Sequence, residues 1–216
     1  MLTYLHIMKT GGTTMLGYLT SHCKTYQVKS WWMSDWKIPE NTECIFSHCP
    51  YGVPEKFIPG KHEYLTFLRD PVDRLISFYY FSMGDLRNAE MISMYLSNFI
   101  NLVKIGKFAS LENGMTRLIA GRQDIGMIPP RSPVTKSDLA LAKENLKRFA
   151  FIGTLDTFDA DLRHFAKMFG MRDDKYKRYR TGNRPPLEDI HDGFKEMLEE
   201  YSQYDRELYE FAKEIK

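Results

Sequence analysis

Short apolar runs bounded by glycine or proline alternate along this chain with longer stretches whose apolar residues recur at helical spacing. Leu2 to Ile7, Glu43 to Ser47, Glu63 to Leu68 and Phe149 to Leu155 are short and apolar enough to be buried strands. Helical patterns run from the Gly11-Gly12 turn to about Ser21, over Pro71 to Phe81, Lys136 to Arg148 and Asp156 to Phe169, and from Leu187 to the C-terminus. Asp70 before Pro71 is a helix-start signal, an N-cap residue ahead of a proline at the first helical position. Phe158, Leu162, Phe165, Ala166 and Phe169 share one helical face, and Gly170 ends that helix. Phe194, Met197, Leu198 and Tyr201 repeat the spacing near the end of the chain. Strands alternating with helices predict an α/β fold with a largely parallel sheet, and in such sheets ligands sit beyond the carboxyl ends of the strands.

The bulk numbers narrow the function. At 216 residues and 25.4 kDa the chain fits one domain, residues 1–216, and 43% hydrophobic with 14% aromatic residues is ample for a core. A net charge of +2 supplies no strong field for nucleic acid or anionic membrane, so anion binding has to come from a local site. No apolar run approaches the length of a membrane span, and Met1 leads straight into the first strand without a charged leader, so a cytoplasmic chain is expected, with a catalytic domain trimmed from a longer secretory precursor as the alternative. Cys23, Cys44 and Cys49 are too few and too irregular for a disulfide framework. The spacing of Cys44, His48 and Cys49 matches no common tetrahedral site, so no metal is expected.

Two segments carry candidate chemistry. Lys9-Thr10-Gly11-Gly12-Thr13-Thr14 lies between a strand and a helix. Its glycines let backbone N–H groups close on an anion, the helix start adds a favourable dipole, the threonines offer hydroxyls and Lys9 a mobile charge. A tight turn with glycine for geometry alone is the other reading. It is not a Walker A loop, because Lys9 precedes the glycines instead of following them. In Leu68-Arg69-Asp70-Pro71-Val72-Asp73-Arg74-Leu75-Ile76-Ser77, Arg69 leaves a strand as a capped helix begins, and Ser77 lies two turns on. Arg69 and Ser77 could grip a phosphate together, or Arg69 could simply pair with Asp70 or Asp73.

Together the two segments resemble the sulfotransferases that use the nucleotide donor PAPS, in particular the carbohydrate branch containing the heparan sulfate 2-O- and 6-O-sulfotransferases. The resemblance implies a P-loop-NTPase-like three-layer sandwich. It also implies that His6-Ile7-Met8-Lys9-Thr10-Gly11-Gly12-Thr13-Thr14 holds the donor's 5′-phosphate and that Leu68 to Ser77 holds its 3′-phosphate. Further matches are Asn113-Gly114-Met115-Thr116-Arg117, Phe151-Ile152-Gly153 with Phe158-Asp159, and Asp205, Leu208 and Tyr209. Tyr179 to Arg184 sits where related enzymes close a loop over the nucleotide, which makes Arg180 and Arg184 donor contacts by the same resemblance. In Ser47-His48-Cys49-Pro50-Tyr51-Gly52 the family's histidine is present as His48, whereas Ser47 stands where the family has glycine.

A neutral imidazole at the end of a strand, such as His48, could take the proton from an attacking hydroxyl, or could merely hydrogen-bond the backbone. His6 reads as a strand residue orienting the loop, His164 as a helix-face residue, and His22, His62 and His191 as surface positions. Trp31, Trp32 and Trp36 could stack on an acceptor or pack in the core. Residues 84–131, rich in Met, Tyr and Phe, could line an acceptor pocket or pack. The expected reaction is sulfuryl transfer from PAPS to an acceptor alcohol, possible acceptors including a sugar, with His48 as base, Lys9 at the leaving side, and PAP as product. Sulfuryl transfer requires no metal. The alternatives are a P-loop kinase or NTPase, and a non-catalytic PAP-binding protein.

Overall fold

The computed structural model describes residues 1–28, 36–83, 111–124, 132–172, 176–177 and 185–216. Within them β1 (Leu2–Leu5), β2 (Thr25–Val28), β3 (Cys44–Ser47), β4 (Glu63–Leu68) and β5 (Phe151–Thr154) form one sheet in the order β2-β3-β1-β4-β5. Every pairing is parallel, so every connection crosses over through other structure. In the β1–β3 register Leu5 faces Ser47, which brings the residues after both strands to one edge.

Alternation along the strands sends side chains to two opposite helix layers. Tyr4, Phe46, Leu65, Phe67 and Phe151 join Met15 and Leu19 of α1 (Gly12–His22) and Leu162 and Phe165 of α5 (Phe158–Met168). Leu5, Tyr64, Leu68 and Ile152 pack on the other face against α3 (Gly114–Ile119), α4 (Lys136–Leu146) and α7 (Gln203–Ile215). Each such apolar side chain stabilises the fold by roughly 1.5–3 kcal/mol when fully buried. The three-layer α/β sandwich is therefore the architecture, with α2 (Pro71–Met83) packed against α6 (Asp192–Glu200) and α7. β1 feeds α1 on one face while its neighbour β4 feeds α2 on the other. Their exits diverge at the carboxyl edge, the kind of switch point beside which ligands bind in such sheets.

The Asp70 start signal acts as read, since its Oδ1 accepts from the Asp73 N–H at 2.9 Å. Thr135 and Asp138 also close a capping box on α4. β2 was not expected. It is a four-residue edge strand, Thr-Tyr-Gln-Val, with neither an apolar run nor flanking glycine or proline. The single helix expected from Leu187 onward is instead a 3₁₀ turn (Leu187–Asp189) followed by α6 and α7. The break at Tyr201-Ser202 has a distant cause: Asn113 Oδ1 accepts from the N–H groups of Tyr204 and Asp205, at 2.9 and 3.1 Å, and caps α7 from another part of the chain.

The same junction holds an ion pair with both side chains fully buried. Arg74 of α2 meets Asp205 of α7 at 3.1 Å, and Asp205 also accepts from the backbone N–H of Met115 and of Thr116. Burial pushes the Asp205 carboxyl up, and Arg74 and the two N–H groups pull it back. A side chain at Gly114 would come within 3.3 Å of the Arg74 guanidinium, so glycine there admits it. Arg74, Asn113-Gly114 and Asp205 are thus one structural joint that fixes the rotation of α2.

Candidate functional site

Met8 to Gly11 form a tight loop between β1 and α1. Lys9 and Gly11 both take positive φ, 69° and 81°, and a non-glycine residue in that region is held there by its surroundings. Two bonds do the holding. Arg69, at the exit of β4, donates through Nη1 to the Lys9 carbonyl at 3.0 Å, and the Thr10 hydroxyl donates to the Ile7 carbonyl at 2.9 Å. Thr10 is buried, so its hydroxyl serves the loop's own shape. No side chain caps the start of α1, and the N–H groups of Thr14 and Met15 both turn back to the Gly11 carbonyl. Gly12 and Thr13 are left as the first-turn donors with no carbonyl inside the helix, the feature that makes a helix start attract anions.

Lys9 extends over the ring of Phe81 at 4.2 Å, a cation–π contact from the loop to the end of α2. On α2, Asp73 and Ser77 follow Arg69 at four-residue steps and are half-buried on the same face. Arg69 Nε donates to Asp73 Oδ2 at 2.5 Å. Of the two readings of Arg69, the pairing with Asp73 is present, and a guanidinium has further N–H donors beyond those spent on Asp73 and Lys9. Arg74, by contrast, points into the core.

His48 follows β3 as His6 follows β1. The His48 Nδ1 lies 2.7 Å from the His6 carbonyl oxygen, and a carbonyl can only accept, so Nδ1 carries the proton and Nε2 keeps its lone pair. Burial pulls the His48 imidazole below its ordinary value, and the bond to His6 partly restores it. The two rings stack at 4.2 Å between centroids, with Phe46 4.8 Å from His6. His6 is held well below the ordinary value, by burial first and then by His48 and Lys9. Ser47 Oγ accepts from the Cys49 N–H at 3.2 Å, so the serine in the place of glycine braces the turn that carries His48.

Gly12 is required by the same cluster. A Cβ there would stand 1.8 Å from His6 Nε2 and 2.0 Å from its Cδ2, overlapping the ring outright. Gly12→Ala is therefore expected to displace the His6 ring or the loop and to cost on the order of 1–3 kcal/mol of stability, as measured by urea unfolding. An unchanged midpoint would mean that the ring and the helix start are not in contact.

Among the sequence-expected residues, the structure brings Lys9 to Thr14, His48, Arg69 and Ser77 to the carboxyl edge of the sheet. Arg180, Arg184, Trp31 and Trp32 lie outside the described residues, as does most of 84–131. Trp36 stacks on Phe57 at 4.6 Å and packs with Val28, Ile45 and Val53, which makes it a core residue. His62 and His22 are half-buried; His62 bonds Thr3 Oγ1 and the Ile58 carbonyl, and His22 bonds the Tyr18 carbonyl. His191 is exposed as expected and accepts from the Gly193 N–H as the N-cap of α6. His164 is exposed on α5 as expected. Sequence reasoning missed the packing of His6 on Gly12 and His48, for which the only local trace is a histidine close before paired glycines. A cavity of about 380 Å³ lined by Leu2, Cys23, Glu43 and Arg172 opens at the amino ends of β1 and β3, away from these residues. Among the described residues no group of three or more His, Cys, Asp or Glu side chains could hold a metal ion, and no helix is long and apolar enough to cross a membrane.

A family profile described as "Sulfotransferase family" matches residues 1–118. Heparan-sulfate 6-O-sulfotransferase 3-B of Danio rerio is 26% identical over 268 residues, covering 99% of this chain and 63% of its own length. Heparan-sulfate 6-O-sulfotransferase 3 of Mus musculus is 26% identical over 99% of this chain and 57% of its own length. Heparan-sulfate 6-O-sulfotransferase 2 of Gallus gallus gives 26%, 100% and 66%. The chain thus spans less than two thirds of these relatives. A crystal structure of the mouse sulfotransferase SULT7A1 complexed with PAP overlaps 95% of this chain and 64% of its own, at a TM-score of 0.47 and 12% identity.

Proposed function

Because the chain belongs to the sulfotransferase family, we propose that it transfers a sulfuryl group from PAPS to an acceptor hydroxyl, with His48 as the general base. The single observation that carries this reading is the His48 Nδ1–H donated to the His6 carbonyl, which presents Nε2 as a proton acceptor beside an anion-ready loop. A base needs that tautomer and a neutral ring near pH 7, and the lowered His48 value supplies the second condition.

The donor brings a sulfuryl group already attached to a phosphate leaving group. The residues present fit its anionic ends. The N–H groups of Gly12 and Thr13, the hydroxyl of Thr13 and the Lys9 ammonium offer positive potential at one end. Arg69 and Ser77 offer donors at the other end. Gly11 and Thr14 belong to the same loop and set its shape, and Thr10 ties it down. Arg180 and Arg184 are proposed as further donor contacts. Lys9 would leave Phe81 to meet charge developing on the phosphate, and His48 Nε2 would take the acceptor's proton. Relatives named for heparan sulfate favour a sugar hydroxyl as the acceptor.

Titration with PAP in the absence of Mg²⁺, with AMP and ATP as controls, tests the donor class. Binding that depends on the 3′-phosphate is expected. Preference for ATP with Mg²⁺ would sink the reading in favour of a kinase or NTPase. Arg69→Ala is expected to weaken PAP by about 1.5–3 kcal/mol, the usual worth of a hydrogen bond to a charged group. Calorimetry giving an unchanged Kd would remove Arg69 from the donor site and leave it as the partner of Asp73 and the Lys9 carbonyl.

A further inference from the structure

His6 opens the phosphate-loop segment in sequence and touches His48 as well. Its carbonyl takes the His48 Nδ1–H at 2.7 Å, and its ring lies against the His48 ring at 4.2 Å with an interplanar angle of 30°. Its far edge fills the space where Gly12 would carry a side chain. Phe46 and Tyr4 close the stack at centroid distances of 4.8 and 6.3 Å from His6. Its Nδ1 is buried with no hydrogen-bond partner among the described residues. An unpartnered buried nitrogen is unfavourable, so packing alone would be served better by an apolar ring.

We propose that His6 is a positioning residue: its carbonyl fixes the tautomer of His48, and its ring, wedged between Gly12 and His48, covers the base and sets its distance from the phosphate loop. The proposal rests on the reading of His48 as the base. The contact to Gly12 makes the loop and the base one rigid unit, so that an anion ordering the start of α1 also orders His48. The titratable groups facing His6 are His48 and the Lys9 ammonium, and the group facing His48 is His6. His6 itself stays neutral where His48 works, because burial and both neighbours oppose its protonation. It therefore shields the base without placing a charge beside it.

The test is nitrogen-15 NMR of the imidazoles, assigned with His48→Ala, on the wild type, His6→Ala and His6→Phe, with PAP calorimetry on the same proteins. In the wild type His48 should be protonated on Nδ1, with a titration midpoint below that of a free imidazole. His6→Ala keeps the carbonyl but admits water against the exposed ring face, so the midpoint should rise while the neutral ring stays protonated on Nδ1. His6→Phe keeps the carbonyl and the cover, and should hold both properties at their wild-type positions. An Nε2-protonated His48 in the wild type overturns the proposal. So does a His6→Ala protein with an unmoved midpoint, or a His6→Phe protein that titrates as a free imidazole. If His6→Ala fails to fold, the wild type and His6→Phe decide. Failure of the wild type to bind PAP removes the donor reading and leaves the imidazole measurements standing. PAP binding with an indifferent His48 removes the inference alone.

Discussion

Replacing His48 with alanine is expected to lower turnover roughly 10²- to 10⁴-fold, the usual worth of a positioned general base, while PAP binds as in the wild type. The separation follows from the architecture. His48 leaves β3, whereas the groups proposed to face the donor's phosphates leave β1 and β4, so the proposed base can be deleted without removing a proposed donor contact. The adjoining His6 carbonyl loses one partner at a part-buried position, which is a modest cost. The assay is PAP release from PAPS with a heparan-type oligosaccharide as acceptor, run beside PAP calorimetry. Unchanged turnover in His48→Ala would strike it out as the base and leave its Nδ1 bond as a backbone tether. Loss of turnover and PAP affinity together would place His48 in the donor site instead. A protein that only binds PAP, or a kinase built on the same sheet, has no use for this imidazole.

The largest loss of stability should come from Asp205→Ala. That change strands the Arg74 guanidinium in a fully buried site and unpairs the N–H groups of Met115 and Thr116. Breaking one side of a buried pair costs about 3–5 kcal/mol, a large part of the ~5–15 kcal/mol that a domain has in total. The expected result is a urea midpoint far below the wild type, or no folded protein at all. Arg74→Met combined with Asp205→Leu should recover most of the loss, since apolar replacement of both partners removes the uncompensated charge. A small effect of Asp205→Ala would show that the pair is hydrated in solution. Little recovery in the double variant would mean that the two backbone N–H bonds, which leucine cannot accept, carry most of the energy. This joint lies among residues that match family motifs, and its Arg74, Asn113 and Asp205 side chains are buried. They set the rotation of α2 and thereby the face on which Asp73 and Ser77 follow Arg69.

Much of the fold was legible because its signals are local. A parallel strand covered by helices on both faces is a short apolar run wherever it occurs, and Leu2 to Leu5, Cys44 to Ser47, Glu63 to Leu68 and Phe151 to Thr154 all read that way. Asp70-Pro71 and Thr135 start helices by bonding within their own first turns. The strand-loop-helix placement of Lys9 to Thr14 and the position of Arg69 between a strand and a helix were legible for the same reason, since both follow from sequence order.

What remained for the tertiary structure was whatever depends on a partner far along the chain. β2 is a strand because β3 offers it an edge to pair with; the alternation of Thr25 and Gln27 with Tyr26 and Val28 is only four residues long. α6 and α7 separate because Asn113 caps the second of them. Arg74 and Ser77 stand three residues apart on one helix, yet Arg74 is drawn inward by Asp205, 131 positions later, while Ser77 stays on the half-buried face. The meeting of His6 and His48 is of the same kind. Each is a histidine just beyond a strand, and nothing local specifies that they touch. The β1–β3 register does so, by setting Leu5 opposite Ser47 and bringing the residues beyond them side by side. Side-chain type and backbone preference are properties of a short segment, and sequence determined them here. Register and burial depend on which segments meet, and only the folded chain decided those.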